Sequence, residues 1–258
     1  MIRAQDAVRY VWGDDEAGHV DDWIYVSSER IHAIVFGLPP GGSFRHSDSF
    51  RTIFAADELL YVVHGTLVVA NPETGEIVRA EQRESVFFRR DTWHHGFSHG
   101  DDDLRVLELF APPPSTGSSG AYARTKPYLD VSRYSDDRQL GQSIGPAETP
   151  SFRLLRQADQ TWRLDRGVLV GLYVSTEHLT AGTMRVAAGQ RSVDETHAGD
   201  EFLYVTAGSL RVVAADGADA TLGPGDGFYV PAGVAHRYEA ADRVADAVFG
   251  VAPSYGPV

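Results

Sequence analysis

The sequence contains no cysteine, which excludes a disulfide framework and any thiolate metal site. A bound metal would have to be held by oxygen and imidazole nitrogen. No stretch approaches the roughly 18 consecutive apolar residues that a membrane-spanning helix needs. The N-terminus, Met1-Ile-Arg-Ala-Gln-Asp-Ala-Val-Arg-Tyr-Val-Trp12, has no apolar core of signal-peptide length either. The expectation is a cytoplasmic protein with no membrane partner. Positive charge is also short: Lys and Arg number 23 against 36 Asp and Glu, a formal net charge of −13. Together with the lack of a helix-turn-helix or basic region, this disfavours nucleic acid as a partner.

The 43% hydrophobic and 23% charged residues are ordinary for a globular protein, and 258 residues allow one large domain or two small ones. The 26 glycines and 13 prolines fall between short apolar runs, which favours strands and turns over helices. Residues 1–22 read as an acidic, loosely structured lead-in with one short strand around Val8–Trp12. Strand-like patterns follow at Trp23–Val26 and Ile31–Leu38, ended by the turn Pro39-Pro-Gly-Gly42. Residues 111–128, rich in Pro, Ser and Gly, have linker composition. They divide the chain into 1–110, a linking or wrapping segment 111–160, and 161–258.

The two halves repeat each other. Glu58-Leu-Leu-Tyr-Val-Val-His-Gly65-Thr-Leu67 matches Glu201-Phe-Leu-Tyr-Val-Thr-Ala-Gly208-Ser-Leu210, and a histidine follows 36 residues after Glu58 (His94) and 35 after Glu201 (His236). A repeat at this range indicates duplication of a whole domain.

Chemistry-bearing residues concentrate in the second copy. Glu195 and His197, two apart, share one face of an extended strand, and Glu201 opens the next apolar run. Downstream, Gly225-Asp-Gly-Phe-Tyr-Val-Pro231-Ala-Gly233-Val-Ala-His236 combines a short strand, a tight turn and a histidine. Two carboxylates and two imidazoles among apolar residues suit a divalent cation.

Gly189, His197, Glu201 and Gly208 are spaced as in the first motif of the cupin family, and Gly225, Pro231, Gly233 and His236 as in its second. Glu195 stands where the family usually has its first histidine. This stretch resembles a cupin closely, and the repeat makes the whole chain resemble a bicupin. The resemblance implies an all-β protein of two tandem cupin-type antiparallel barrels (double-stranded β-helices, or jelly rolls). It also implies Glu195, His197, Glu201 and His236 as metal ligands, with Glu195 a ligand or a general base. Cupins often pair through sheet edges, which implies a homodimer.

The first copy departs from the motifs. Arg83, Arg89 and Asp91 replace the second motif's Gly, Pro and Gly, although His94 remains. Eleven residues separate His46 from Glu58, against three between His197 and Glu201, so an insertion is expected. Two readings stay open. In one, His46, Glu58 and His94 form a two-histidine, one-carboxylate site with Asp48 as a possible fourth ligand. In the other, the barrel is structural and Glu58 pairs with an arginine among Arg45, Arg51, Arg83, Arg89 and Arg90. In the catalytic reading, Arg45, Arg89 and Trp93 would bind an anionic or aromatic small molecule, with Arg89 also in the catalytic set.

A thiol-free donor set favours iron or manganese and leaves zinc, nickel and copper open. The first functional expectation is a metal-dependent enzyme running an oxygen-using, dioxygenase-type reaction on a small organic molecule. Metal-assisted hydrolysis, deamination, cyclisation or isomerisation is the second. A small-molecule-binding bicupin without turnover is the third.

Overall fold

The computed structural model describes residues 1–47, 50, 52–113, 149–165, 167–253 and 255–256. Asp48, Arg51 and most of the expected linker, 114–148, lie outside the described residues. The chain forms two units, Val8–Arg156 and Met1–Ala7 with Gln157–Val258.

In the first unit the strands are β1 Val8–Asp14, β2 Gly18–Ser27, β3 His32–Leu38, β4 Ser43–Phe44, β5 Asp57–His64, β6 Thr66–Ala70, β7 Ile77–Glu81, β8 Ser85–Phe88, β9 His95–Ser98, β10 Leu104–Ala111 and β11 Arg153–Leu155. The second unit has β12 Thr161–Asp165, β13 Val168–Ser175, β14 Thr180–Val186, β15 Asp200–Ala207, β16 Leu210–Ala214, β17 Asp219–Leu222, β18 Gly227–Val230, β19 His236–Glu239 and β20 Ala245–Ala252. Among the described residues the helical elements are short 3-10 turns, and no helix is long and apolar enough to cross a membrane.

Each unit closes two antiparallel sheets over one core. In the first unit the orders are β1-β2-β3-β10-β5-β8-β11 and β4-β9-β6-β7; in the second they are β12-β13-β14-β20-β15-β18 and β17-β16-β19. Apart from β11, added at one edge of the first, the larger sheets therefore repeat strand for strand, which is the duplication expressed as topology. Ile34, Phe36, Leu67, Val69, Val86 and Phe110 meet in one core, and Val170, Leu203, Val212, Phe228 and Phe249 in the other. Burial of such side chains contributes about 1.5–3 kcal/mol each. Central strands such as β3 are buried along their whole length, whereas β16 alternates between core and surface as a strand with one wet face must.

The lead-in is more ordered than its acidity suggested. β1 and β2 form a continuous hairpin, in register from Val8↔Ile24 to Asp14↔Gly18. Along β2, Val20 and Asp22 point to the same buried side, so one member of the Asp21-Asp22 pair is an inward-facing residue of the sheet. The expected linker's end also has structure: Arg153–Leu155 pairs with β8 and extends the first unit's larger sheet.

Candidate functional site

In the second barrel the four expected ligands arrive from three places. Glu195 lies in a loop that bridges to β19, exchanging two backbone hydrogen bonds with His236 (2.8 and 2.9 Å). His197 follows two residues on, its carbonyl accepting from the Gly233 N–H (2.9 Å), and Glu201 stands at the start of β15. All four side chains are withdrawn from solvent: Glu195 is 4%, His197 2%, Glu201 2% and His236 1% exposed. One ligand atom each of Glu195, His197 and His236 lie within 4.8 Å of one another, a group that could hold a metal ion. Glu201 adjoins them, with Oε2 2.9 Å from His236 Nε2 and 3.4 Å from His197 Nε2.

The donor set fits a divalent cation. His197 Nδ1 faces the Tyr255 carbonyl (3.1 Å) and His236 Nδ1 the Val234 carbonyl (2.9 Å), which fixes each ring with Nε2 toward the centre. His197 Nε2 is buried without a hydrogen-bond partner. Without a metal, the imidazoles take over its role as counter-charge to the acids. Burial alone would lower the His236 pKa, but its bond to Glu201 and the Glu201 and Glu195 charges push it up to about 9. His197 is raised by the same acids against its burial. Burial opposes ionisation of Glu201, yet the two imidazoles outweigh it and hold the carboxyl well below the usual range. A cation placed here would displace protons from the imidazoles.

Two tyrosines complete the site. The Tyr238 hydroxyl donates to Glu201 Oε2 (2.7 Å) and lies 2.7 Å from His236 Nε2. Tyr255 stacks on His197 with ring centroids 4.5 Å apart. Both line a cavity of about 200 Å³, together with Glu195, Glu201, Val168, Val170, Met184 and Phe249. Tyr238 had a signal in the sequence, since it lies two residues after His236 on the same strand face. Tyr255 had none, because it reaches the site from beyond the last strand.

Comparison with known proteins agrees with this geometry. Residues 182–250 match the Cupin domain family model. AerE from Microcystis aeruginosa superposes with a TM-score of 0.65 at 10% identity, over 95% of this chain and 97% of that one. An oxalate decarboxylase from Bacillus subtilis gives 0.67 at 14% identity, over 99% and 77%. A putative glyoxylate-induced protein from Pseudomonas aeruginosa gives 0.67 at 12% identity, over 94% and 84%. These likenesses extend through both units. The match places a cupin domain at residues 182–250, and the structural likenesses show a cupin-type two-barrel fold. No curated relative matches its sequence.

The first barrel has the same frame and different contents. The Asp91 N–H donates to Phe54 O (2.9 Å) as the Gly233 N–H donates to His197 O, and Asp57 Oδ1 accepts from the Arg90 N–H (3.2 Å) as Asp200 Oδ1 does from the Ala232 N–H (3.0 Å). Phe54 thus occupies the place of His197, and Thr52 that of Glu195. Three residues separate Phe54 from Glu58, as three separate His197 from Glu201. The expected insertion between ligands is therefore absent; the shift came from aligning His46 with His197. His46 instead turns its Nδ1 to His95 Nε2 (2.8 Å) and packs on Trp93. Glu58 and His94 keep the places of Glu201 and His236, with 3.9 Å between His94 Nε2 and Glu58 Oε2. Among the described residues, His46, Glu58 and His94 do not form a metal-holding group.

The expected substrate-gripping residues also lie elsewhere. Arg89 pairs with buried Asp57 (2.9 Å) and leaves 47% of its side chain exposed, because Asp57, one position before Glu58, points to the turn. Arg45 donates to the Glu16 carbonyl (2.7 Å), and Trp93 is buried against Ile53. None of the three lines the first barrel's cavity, which is bounded by Trp12, Val20, Asp22, Ile34, Phe36, Phe44, Thr52, Phe54, His94, Glu108 and Phe110.

Proposed function

We propose that the protein is a metal-dependent enzyme acting on a small organic molecule, with its active site in the second barrel. The observation that carries this reading is the convergence of four buried donors, Glu195, His197, Glu201 and His236, with both Nε2 atoms turned inward. Buried carboxylates and imidazoles without a cation are costly. A divalent ion with two carboxylates and two neutral imidazoles is formally balanced. Such an oxygen-rich set suits manganese or iron over a thiophilic metal, and on that ground an oxygen-using reaction is the first reading of the chemistry.

When bound, the metal would supply redox or Lewis-acid activation inside the barrel. The chain's own residues set the terms. Tyr238 holds Glu201 in place through its hydroxyl. Tyr255 and Phe249 wall the cavity and exclude bulk water, while Val168, Val170 and Met184 offer an apolar surface to the substrate's carbon frame.

Purified protein is expected to carry about one divalent ion per chain, and the combined His197→Ala and His236→Ala variant to carry none. Elemental analysis showing unchanged metal in that variant would sink the assignment. The finer reading is tested with an oxygen electrode, using iron- or manganese-loaded protein and a panel of small organic acids and phenols. Turnover without oxygen uptake would move the chemistry to the Lewis-acid class.

A further inference from the structure

The same positions carry opposite polarity in the two barrels. In the second, acid and imidazole occupy the ligand places Glu195 and His197, and the facing wall is apolar at Val170 and Phe249. In the first, Thr52 and Phe54 occupy the ligand places. Strand register puts Asp22 where Val170 stands, since Asp22 pairs with Phe36 as Val170 pairs with Met184, and Phe36 and Met184 pair in turn with Val106 of β10 and Ala247 of β20. Likewise Glu108 stands where Phe249 does, opposite Leu60 as Phe249 is opposite Leu203. The first barrel has thus lost two ligand positions and gained two buried acids on the wall across from them. An inherited metal site does not explain acids at those places.

We propose that the first barrel's cavity binds a small organic ammonium ion, held by Asp22 and Glu108 among aromatic walls. The cavity, with its opening to solvent included, spans about 350 Å³, and its guest is a small molecule. Five of its walls are aromatic rings, Trp12, Phe36, Phe44, Phe54 and Phe110, whose faces attract cations. Among the described residues no arginine or lysine lines it, so an anion would meet the acids Asp22 and Glu108 with no cation among the described walls. A purely apolar guest would strand the polar groups. Thr52 Oγ1, buried and without a hydrogen-bond partner, is aimed into this space and gives a bound N–H an acceptor. His94 adds a second: its Nδ1 faces the Thr92 carbonyl (3.2 Å), so the neutral ring presents Nε2 as acceptor. Acceptors and ring faces together select a donor-bearing cation.

The test uses the full chain, treated with a chelator so that the second barrel's metal plays no part. Benzylamine in its ammonium form, benzyl alcohol and benzoate are titrated by calorimetry near neutral pH. The ammonium is expected to bind one per chain and roughly tenfold or more tighter than the alcohol or the anion. Asp22→Asn should weaken it by a similar factor, whereas His197→Ala with His236→Ala should leave it unchanged. Benzoate binding best would overturn the proposal. So would ammonium binding that is lost in the second-barrel variant but kept in Asp22→Asn. The absence of saturable binding by benzylammonium up to about 10 mM, a free energy weaker than about 3 kcal/mol, overturns it without any variant. None of these outcomes touches the metal assignment of the second barrel, which is read by elemental analysis.

Discussion

At the scale of single residues, Glu195 separates this site from the usual cupin set, and Tyr238 braces it. Glu195 brings a second carboxylate to within ligand distance of His197 and His236, so a bound divalent ion would be charge-neutralised and a weaker Lewis acid than with three imidazoles. Glu195→His should keep the metal and shift the preference toward softer ions, read as the metal recovered after loading from an equimolar mixture. Glu195→Gln should retain less metal, by roughly tenfold or more in affinity if the carboxylate ligates. Full metal retention in Glu195→Gln would make Glu195 a base or a bystander instead. Tyr238 matters through one atom. Its hydroxyl donates to ionised Glu201 in a site closed to water, and hydrogen bonds to charged groups contribute about 1.5–3 kcal/mol. Tyr238→Phe is therefore expected to lower the stability of metal-free protein by about that much in urea unfolding. A change below about 0.5 kcal/mol would show that His236 alone holds Glu201.

At the scale of elements, the turns before and after β8 and β18 show what duplication preserves. Gly225 and Gly233 have φ of 89° and 77° in the second barrel, and their counterparts Arg83 and Asp91 keep φ of 73° and 70° although neither is glycine. The hydrogen bonds hold the backbone there. The Arg83 N–H donates to Val62 O (2.9 Å) as the Gly225 N–H does to Val205 O (2.8 Å). A left-handed conformation costs a non-glycine residue about 1–2 kcal/mol, partly offset by the greater entropy a glycine loses on folding. Arg83→Gly should stabilise the first barrel by about 0.5–1 kcal/mol, measured as a higher urea midpoint with unchanged slope. A lower midpoint would mean that contacts of the Arg83 side chain outweigh the strain. These turns also explain what the sequence disclosed and what it hid. The second barrel was legible because Gly, Pro, His and Glu sit at fixed intervals, each tied to a turn or ligand geometry. The first was legible as a repeat through Glu58, Tyr61 and Gly65, but its ligand positions were not. Thr52 and Phe54 carry no chemical signature, and nearby His46 offered a misleading one. Asp22 was hidden in an acidic hairpin whose alternation becomes visible once β1 and β2 are paired.

At the scale of the whole molecule, the two barrels differ in how they treat buried histidine. The second holds His197 and His236 beside carboxylates, which raise both. The first buries His32, whose pKa burial lowers to about 4. Folding linkage follows from that shift. Above pH 6.5 both folded and unfolded His32 are neutral, and the residue adds no pH dependence. As pH falls from 6.5 toward 4, the unfolded chain takes up a proton that the folded barrel refuses, so stability declines across that window and levels off below it. Between pH 7 and 5 the decline amounts to about 2 kcal/mol for this one residue. Glu108 acts with the opposite sign. Burial and the nearby Asp22 charge raise its pKa well above the usual range despite a hydrogen bond with Glu58. The folded barrel thus keeps a proton the unfolded chain has released, and lowering the pH relieves that cost. The net slope of the native protein is a sum of such contributions, and a difference between variants isolates one of them. His32→Leu keeps the site apolar beside Phe110, its ring neighbour at 5.7 Å. Urea unfolding at pH 7 and at pH 5 should show the variant losing about 2 kcal/mol less than the native chain over that interval. Equal losses in both would mean that His32 takes up its proton inside the folded barrel, with the carboxyl groups of the unit rearranging to receive it.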